Sequence, residues 1–164
     1  MAAAICRFVG ARHVVVTDVV DYRLELAAKA GASLTVNVQR ETVEDAMAKL
    51  KMSNGFDRGI EVSGNADALR TMIDTMYNGG MIALLGFLPK STTIDWNQVI
   101  LKGLRLKGVY GREMYETWYK VTSMLQTGLD VAPVLTHRFV YRDFEEAFQV
   151  MRSGNSGKVI MDWT

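Results

Sequence analysis

Apolar and polar positions alternate along the chain in two rhythms. One has a period near 3.6 residues, and the other consists of short continuous β-branched runs. Asp67–Tyr77 is the clearest case of the first: Leu69, Met72, Ile73 and Met76 recur at i, i+3, i+4 and i+7, one face of a helix. His13–Asp18 is the clearest case of the second, a valine-rich run of the kind buried on both faces of a parallel sheet. The same reading predicts helices over Ala2–Phe8, Tyr22–Lys29 (Leu24, Ala27 and Ala28 on one side), Thr42–Lys49 and Asn97–Lys102. Two more are marked by Met114, Trp118, Val121 and Leu125, and by Phe144, Ala147, Phe148 and Met151. Strands are predicted over Leu34–Val38, Phe56–Ser63 (with Ile60 and Val62), Met81–Phe87, Leu104–Tyr110, Phe139–Tyr141 and Lys158–Trp163. Gly10, Gly31, Asn78-Gly79-Gly80, Gly111, Gly128 and Gly154 punctuate these segments. Thr42 with Asp45, and Asp143 with Glu146, have the spacing of helix caps.

Strands alternating with helices imply an α/β protein with a largely parallel sheet, in which ligands bind at the carboxyl ends of the strands. One feature breaks the pattern. The first helix begins at the first residues, whereas a βαβ series opens with a strand. In the strand order 3-2-1-4-5-6 of a dinucleotide-binding sheet that opening strand is central. Without it the Val14–Val16 and Ile60–Val62 strands lack a shared neighbour. The expected outcomes are a gap, direct pairing of the two, or filling by another chain.

Composition narrows the class. The chain has 164 residues, 49% of them apolar and 23% charged, an ordinary globular profile. With 19 basic against 18 acidic side chains, net charge singles out neither nucleic acid nor a membrane as partner. Cys6 is the only cysteine and His13 and His137 the only histidines, so neither an internal disulfide nor a Cys/His zinc cluster can form. No apolar run approaches the roughly 20 residues of a membrane span, and a cytoplasmic location is expected.

Candidate chemistry is sparse. Asp18 closes the valine strand and Arg23 follows five residues on. An acid at the end of the second strand of a dinucleotide fold bonds the adenosine ribose hydroxyls and repels a 2′-phosphate, favouring NAD over NADP. The same Asp could simply cap the following helix. A Gly-x-Gly-x-x-Gly phosphate loop is missing from the chain, since Gly79-Gly80 with Gly86 has the wrong spacing. Gly154-Asn155-Ser156-Gly157-Lys158 is too short between its glycines for a P-loop and reads as a helix-to-strand turn. No Gly-x-Ser-x-Gly elbow occurs. Cys6 reads as a small core residue, Met72, Met76, Met124 and Met151 as core, and both histidines as structural. Arg112-Glu113 fits a solvated pair or a site pair.

Several stretches together resemble one family. They are Ala2-Ala3-Ala4-Ile5-Cys6-Arg7-Phe8, Thr17-Asp18-Val19 with Tyr22-Arg23-Leu24-Glu25-Leu26-Ala27, Ala83-Leu84-Leu85-Gly86 and Ile94-Asp95-Trp96. To these are added Tyr110-Gly111-Arg112-Glu113-Met114 with Glu116-Thr117-Trp118, and Ser153-Gly154 with Ser156-Gly157-Lys158-Val159-Ile160. The chain resembles, from Met1 to Thr164, the C-terminal part of the bacterial threonine dehydrogenase branch of the zinc-dependent medium-chain alcohol dehydrogenase superfamily. The Tyr110–Trp118 stretch separates that branch from generic polyol and alcohol dehydrogenases.

The resemblance implies a doubly wound Rossmann-like parallel sheet that lacks its first strand and glycine-rich loop. It also implies a C-terminal segment belonging to a GroES-like catalytic domain. The division expected is a truncated NAD-binding domain over 1–133 and a segment over 134–164 that packs on the catalytic domain. The implied reaction is NAD-dependent oxidation of L-threonine to 2-amino-3-oxobutanoate, with catalytic zinc held by residues outside this chain. Asp18 would hold the adenosine ribose and Arg23 would lie on the adenine side. Leu85, Gly86, Phe87, Val109 and Tyr110 would line the nicotinamide end, although the family commonly has Ile where Phe87 stands. The implied assembly is a homo-oligomer, a tetramer in the family, built through the 104–110 edge strand. No catalytic or metal residue is assigned to this chain, which on this reading is inactive alone. A stand-alone nucleotide-binding or oligomerisation module, or part of another zinc-dependent polyol or alcohol dehydrogenase, remains the alternative.

Overall fold

The computed structural model describes all 164 residues, Met1–Thr164. Seven helices and seven strands alternate: α1 (Ala2–Phe8), β1 (Val15–Asp18), α2 (Asp21–Lys29), β2 (Leu34–Asn37), α3 (Val43–Lys49), β3 (Phe56–Glu61) and α4 (Ala66–Thr75) come first. Then follow β4 (Met76–Leu84), α5 (Trp96–Leu101), β5 (Arg105–Gly108), α6 (Glu116–Gln126), β6 (Leu135–Val140), α7 (Phe144–Ser153) and β7 (Lys158–Asp162). The chain divides into two compact units, one of Met1–Thr42 with Trp118–Thr164 and the other of Val43–Thr117. No helix is long and apolar enough to cross a membrane.

The first unit holds two parallel pairs, β1-β2 and β6-β7. Its small core joins Ala4 of α1, Ala30, Leu129 and Val134, with Ile5, Met124 and Val131 packed against them. Gly10 and Gly31 take the positive φ that ends α1 and α2. Val14, just before β1, is buried but Thr17 within it is exposed, contrary to a run buried on both faces. The physical reason is that β1 pairs along one edge only, with β2. Ala28 is likewise exposed; within α2 only Leu24 is buried, and Ala30, the C-cap residue, is buried after it. Cys6 is only half-buried, and Met151 lies half-exposed beside Phe144 and Phe148 on a face of α7 that nothing in the unit covers.

Two corrections concern the last third of this unit. The strand expected over Phe139–Tyr141 runs instead from Leu135 to Val140, and Tyr141–Asp143 forms a turn of 3₁₀-helix. Asp143 therefore enters α7 already in a helical turn, and its side chain makes no cap bond. In the second unit, Met114 lies before α6, which starts at Glu116.

The second unit is a three-stranded parallel sheet, β3-β4-β5, with its core on one face. Leu69 and Ile73 of α4, Met76 and Ile82 of β4, and Leu104 form that core. Asn65 caps α4, accepting from the N–H groups of Asp67 and Ala68 at 2.8 and 3.0 Å. At the other end the Lys102 ammonium donates to the carbonyls of Ile73 and Asp74, at 3.0 and 2.6 Å, where the helix dipole favours a cation. The helix stops at Thr75 and β4 starts at Met76, five residues before the position the glycines mark. Asn78-Gly79-Gly80 lies inside β4, and the β3-β4 register shifts across it: Phe56 pairs with Met76 and Arg58 with Met81. β3 pairs with β4 alone, so the edge on which a dinucleotide sheet continues is unpaired within this unit, as is the outer edge of β5.

Ile82 is fully buried between α4 and the neighbouring strands, whereas Ile100 on α5 is 71% exposed. Ile82→Ala is expected to lower unfolding stability by about 2–5 kcal/mol, through lost transfer energy and a cavity. Ile100→Ala is expected to change it by less than about 0.5 kcal/mol. Urea melts of the two variants check this, and equal effects would contradict the assigned core.

Candidate functional site

Two groups of side chains stand at carboxyl ends of parallel strands, one in each unit. In the first unit, Asp18 is the last residue of β1. Its Oδ1 accepts the N–H groups of Val19 and Val20, at 2.8 and 3.0 Å, which shapes the turn into α2. That is the local role an acid at a turn commonly takes. It occupies one oxygen and leaves Oδ2 as a second acceptor. A pair of vicinal ribose hydroxyls needs such a carboxylate acceptor, so the residue present fits the adenosine end of a dinucleotide.

Behind Asp18 lies a polar cluster that sequence reading did not single out. Asn37, buried at the end of β2, donates to Asp21 Oδ1 at 2.8 Å and to the Val19 carbonyl at 3.4 Å. Arg40 pairs with the same Asp21 carboxylate in a two-pronged contact. The Arg40 hydrogen bond, and then that of Asn37, hold Asp21 below the ordinary carboxylate range. The cluster ties the end of β2 to the start of α2 and so steadies the turn that carries Asp18.

Arg23 is exposed on α2 and lines a cleft of about 280 Å³ within the first unit, together with Ala27, Val16, Ser156, Gly157 and Lys158. The turn at 154–158 is a helix-to-strand turn, with Gly154 in the left-handed C-cap position. It also brings a second cation, Lys158, to the cleft that Arg23 lines. Gly157 is required there: a Cβ would stand 2.5 Å from the Val134 carbonyl and 3.2 Å from Leu26 Cδ1. Nothing in the local sequence signals this, because Lys158 and Arg23 are far apart along the chain and meet only through packing.

In the second unit, Leu85, Gly86, Phe87, Val109 and Tyr110 gather beyond the ends of β4 and β5. The N–H groups of Leu85 and Gly86 donate to the Glu61 carbonyl at 2.8 and 3.1 Å, and that of Val109 to the Leu84 carbonyl at 2.9 Å. The Phe87 and Tyr110 rings meet edge to face, with centroids 6.3 Å apart. Both rings are open to solvent, at 84% and 90% exposure. A flat aromatic group such as a nicotinamide ring is the kind of partner these apolar surfaces accept. Glu61 is the residue that sequence reading missed. The strand was read through Ile60 and Val62, but these are the exposed positions, and Glu61 between them is buried at 2%. Period-2 alternation puts 61 on the face opposite to 60 and 62, but it does not say which of the two faces is covered.

No group of three or more His, Cys, Asp or Glu side chains is placed to hold a metal ion. His137 Nδ1 is engaged with Thr136 Oγ1 at 2.9 Å, and its ring stacks on Phe139. The residues present do not fit zinc.

The family described as zinc-binding dehydrogenase matches residues 1–127. An L-threonine 3-dehydrogenase of Anaeromyxobacter dehalogenans is 62% identical over 163 residues, which are 99% of this chain and 47% of that protein. The chain thus spans about half the length of the curated relatives it matches. Among solved structures, an alcohol dehydrogenase of Thermotoga maritima is 25% identical and superposes with a TM-score of 0.84 over 97% of this chain and 45% of its own. A short chain alcohol dehydrogenase of Escherichia coli, solved in complex with NADH, has the same fold at 15% identity and a TM-score of 0.84, over 98% of this chain and 48% of its own.

Because the Asp21 pKa is depressed in the folded state, its ion pair contributes stability above the ordinary carboxylate pKa. That contribution is lost as pH falls through the lower, folded value. Arg40→Ala is expected to move the Asp21 pKa up toward the ordinary range. Carbon-detected NMR titration of the carboxyl carbons reads this, and an unmoved Asp21 would remove the pair from the cluster.

Proposed function

The chain belongs to the zinc-binding dehydrogenase family, and from that premise we propose that it is the cofactor-binding part of an NAD-dependent L-threonine 3-dehydrogenase. The observation that carries this reading is the 62% identity to an enzyme of that name over 99% of the chain. The geometry of each unit supports it. The open Oδ2 of Asp18 suits the adenosine ribose, and its charge disfavours a 2′-phosphate. Arg23 supplies a cation on the adenine side. Leu85, Gly86, Phe87, Val109 and Tyr110 offer apolar surface for the nicotinamide. NAD would supply, when bound, the hydride acceptor for the carbon that carries the threonine hydroxyl. This chain's part is to hold and orient the dinucleotide.

Polarisation of the alcohol and removal of its proton require groups this chain does not carry, so the isolated chain is inactive. Residues 134–164 on this reading pack on a catalytic domain, which accounts for the uncovered face of α7 at Phe144, Phe148 and Met151. The unpaired edge of β5 accounts for a homo-oligomer: a second copy can continue the ladder there, beside the exposed Ile100 and Leu101.

Two preparations test the proposal, the chain alone and the chain joined to the remainder of the Anaeromyxobacter dehalogenans relative. The chain alone, given L-threonine, NAD and zinc, is expected to form no NADH. The joined protein is expected to turn over, and Asp18→Ala in it to raise the KM for NAD about tenfold or more while weakening discrimination against NADP. Turnover by the chain alone would show the catalytic groups to be misplaced. An unchanged KM for NAD in the Asp18→Ala variant would remove Asp18 from the cofactor site.

A further inference from the structure

The second unit contains a buried carboxylate that the reaction does not use. Glu61 is the last residue of β3, and it is the one charged side chain in the buried set. No cation pairs with it. Its Oε1 accepts the Ser63 N–H at 2.8 Å, the Ser63 hydroxyl at 2.6 Å and the Gly64 N–H at 3.1 Å, while Oε2 lies 3.3 Å from the same Gly64 nitrogen. Burying a carboxylate without a counter-ion is costly, and only this full set of donors offsets it. Its main-chain carbonyl reaches the other way, taking the N–H groups of Leu85 and Gly86. One residue therefore ties the loop after β3 to the loop after β4.

Close approach makes the tie rigid. A Cβ on Gly86 would fall on Glu61 Oε2 and on the Gly64 nitrogen, so the carboxylate fills the space beside Gly86. A Cβ on Gly64, which has φ +70°, would stand 2.6 Å from the Phe87 carbonyl oxygen. The two loops touch backbone to backbone, and the carboxylate is the wedge that sets their spacing.

We propose that the Glu61 carboxylate is a positioning residue for the Leu85–Phe87 segment, setting the path of the nicotinamide-side main chain without touching the cofactor. This rests on the assignment of Leu85–Phe87 to the nicotinamide end. If Glu61 served only to hold the unit together, its loss would weaken every ligand alike. As a positioning residue it acts on the nicotinamide end alone.

The test titrates the joined protein with NADH and, separately, with ADP-ribose, which carries the adenosine and both phosphates but no nicotinamide, following backbone amides by NMR. Without substitution, both ligands are expected to shift the amides near Asp18 and only NADH those of Gly86 and Phe87. Glu61→Gln is isosteric but turns an amide donor toward Gly64. It is expected to weaken NADH about tenfold and leave ADP-ribose within about twofold. Ser63→Ala removes one donor, keeps the fold if Glu61→Gln does not, and is expected to show the same split, at about threefold. An equal loss for both ligands, or none, overturns the proposal. If NADH leaves Gly86 and Phe87 unmoved in the unsubstituted joined protein, the cofactor assignment falls instead. Hydrogen exchange at the Gly86 amide then decides on the wedge, with at least tenfold acceleration in the variants supporting it and unchanged exchange overturning it.

Discussion

Main-chain hydrogen bonding at the carboxyl edge of β3-β4-β5 is the constraint on which the second unit depends. Parallel strands end together, and their last carbonyls must find donors outside the ladder. The Glu61 carbonyl finds Leu85 and Gly86, and the Leu84 carbonyl finds Val109. Each of these bonds bends a loop back over the end of its neighbour. The apolar residues at 85–87 and 109–110 are gathered by backbone satisfaction before any ligand is considered. The price of that arrangement is the absence of side chains at 64 and 86, where the loops touch.

The first unit solves the same problem with side chains. Asp18 satisfies the N–H groups of Val19 and Val20, Asn37 reaches the Val19 carbonyl, and the Asp21–Arg40 pair closes the turn from outside. An exposed ion pair of this kind adds little by itself, since solvent screens it. Its value is geometric, because it limits where the β1-α2 turn can go and therefore where Asp18 Oδ2 points.

Much of the architecture was legible in the residues. The valine run, the i, i+3, i+4, i+7 face of α4 and the glycine terminators marked elements whose local preference agrees with their packing. What failed did so for identifiable reasons. Met76 keeps the helical period and so reads as the end of a helix, yet it reaches the same core from the start of β4. The β-branched run at 13–18 has the composition of a central, doubly buried strand, while here it has a partner on one edge only. Asp143 has the cap spacing without the cap bond, because a 3₁₀ turn precedes the helix.

The sequence by itself determined the alternation of strands and helices, the parallel sheets, and the acid at the end of β1. These depend on side-chain period and local turn chemistry, which neighbouring residues carry. It also carried the family resemblance, which is a property of residue identities rather than of contacts. Only the tertiary structure decided that Lys158 and Arg23 line one cleft, that Asn37 and Arg40 brace the Asp18 turn, and that Glu61 is buried. Each of those depends on which residues distant in sequence meet, and on whether a buried polar group finds its donors. Neither is encoded in a window of neighbouring residues; both are settled only when the elements pack.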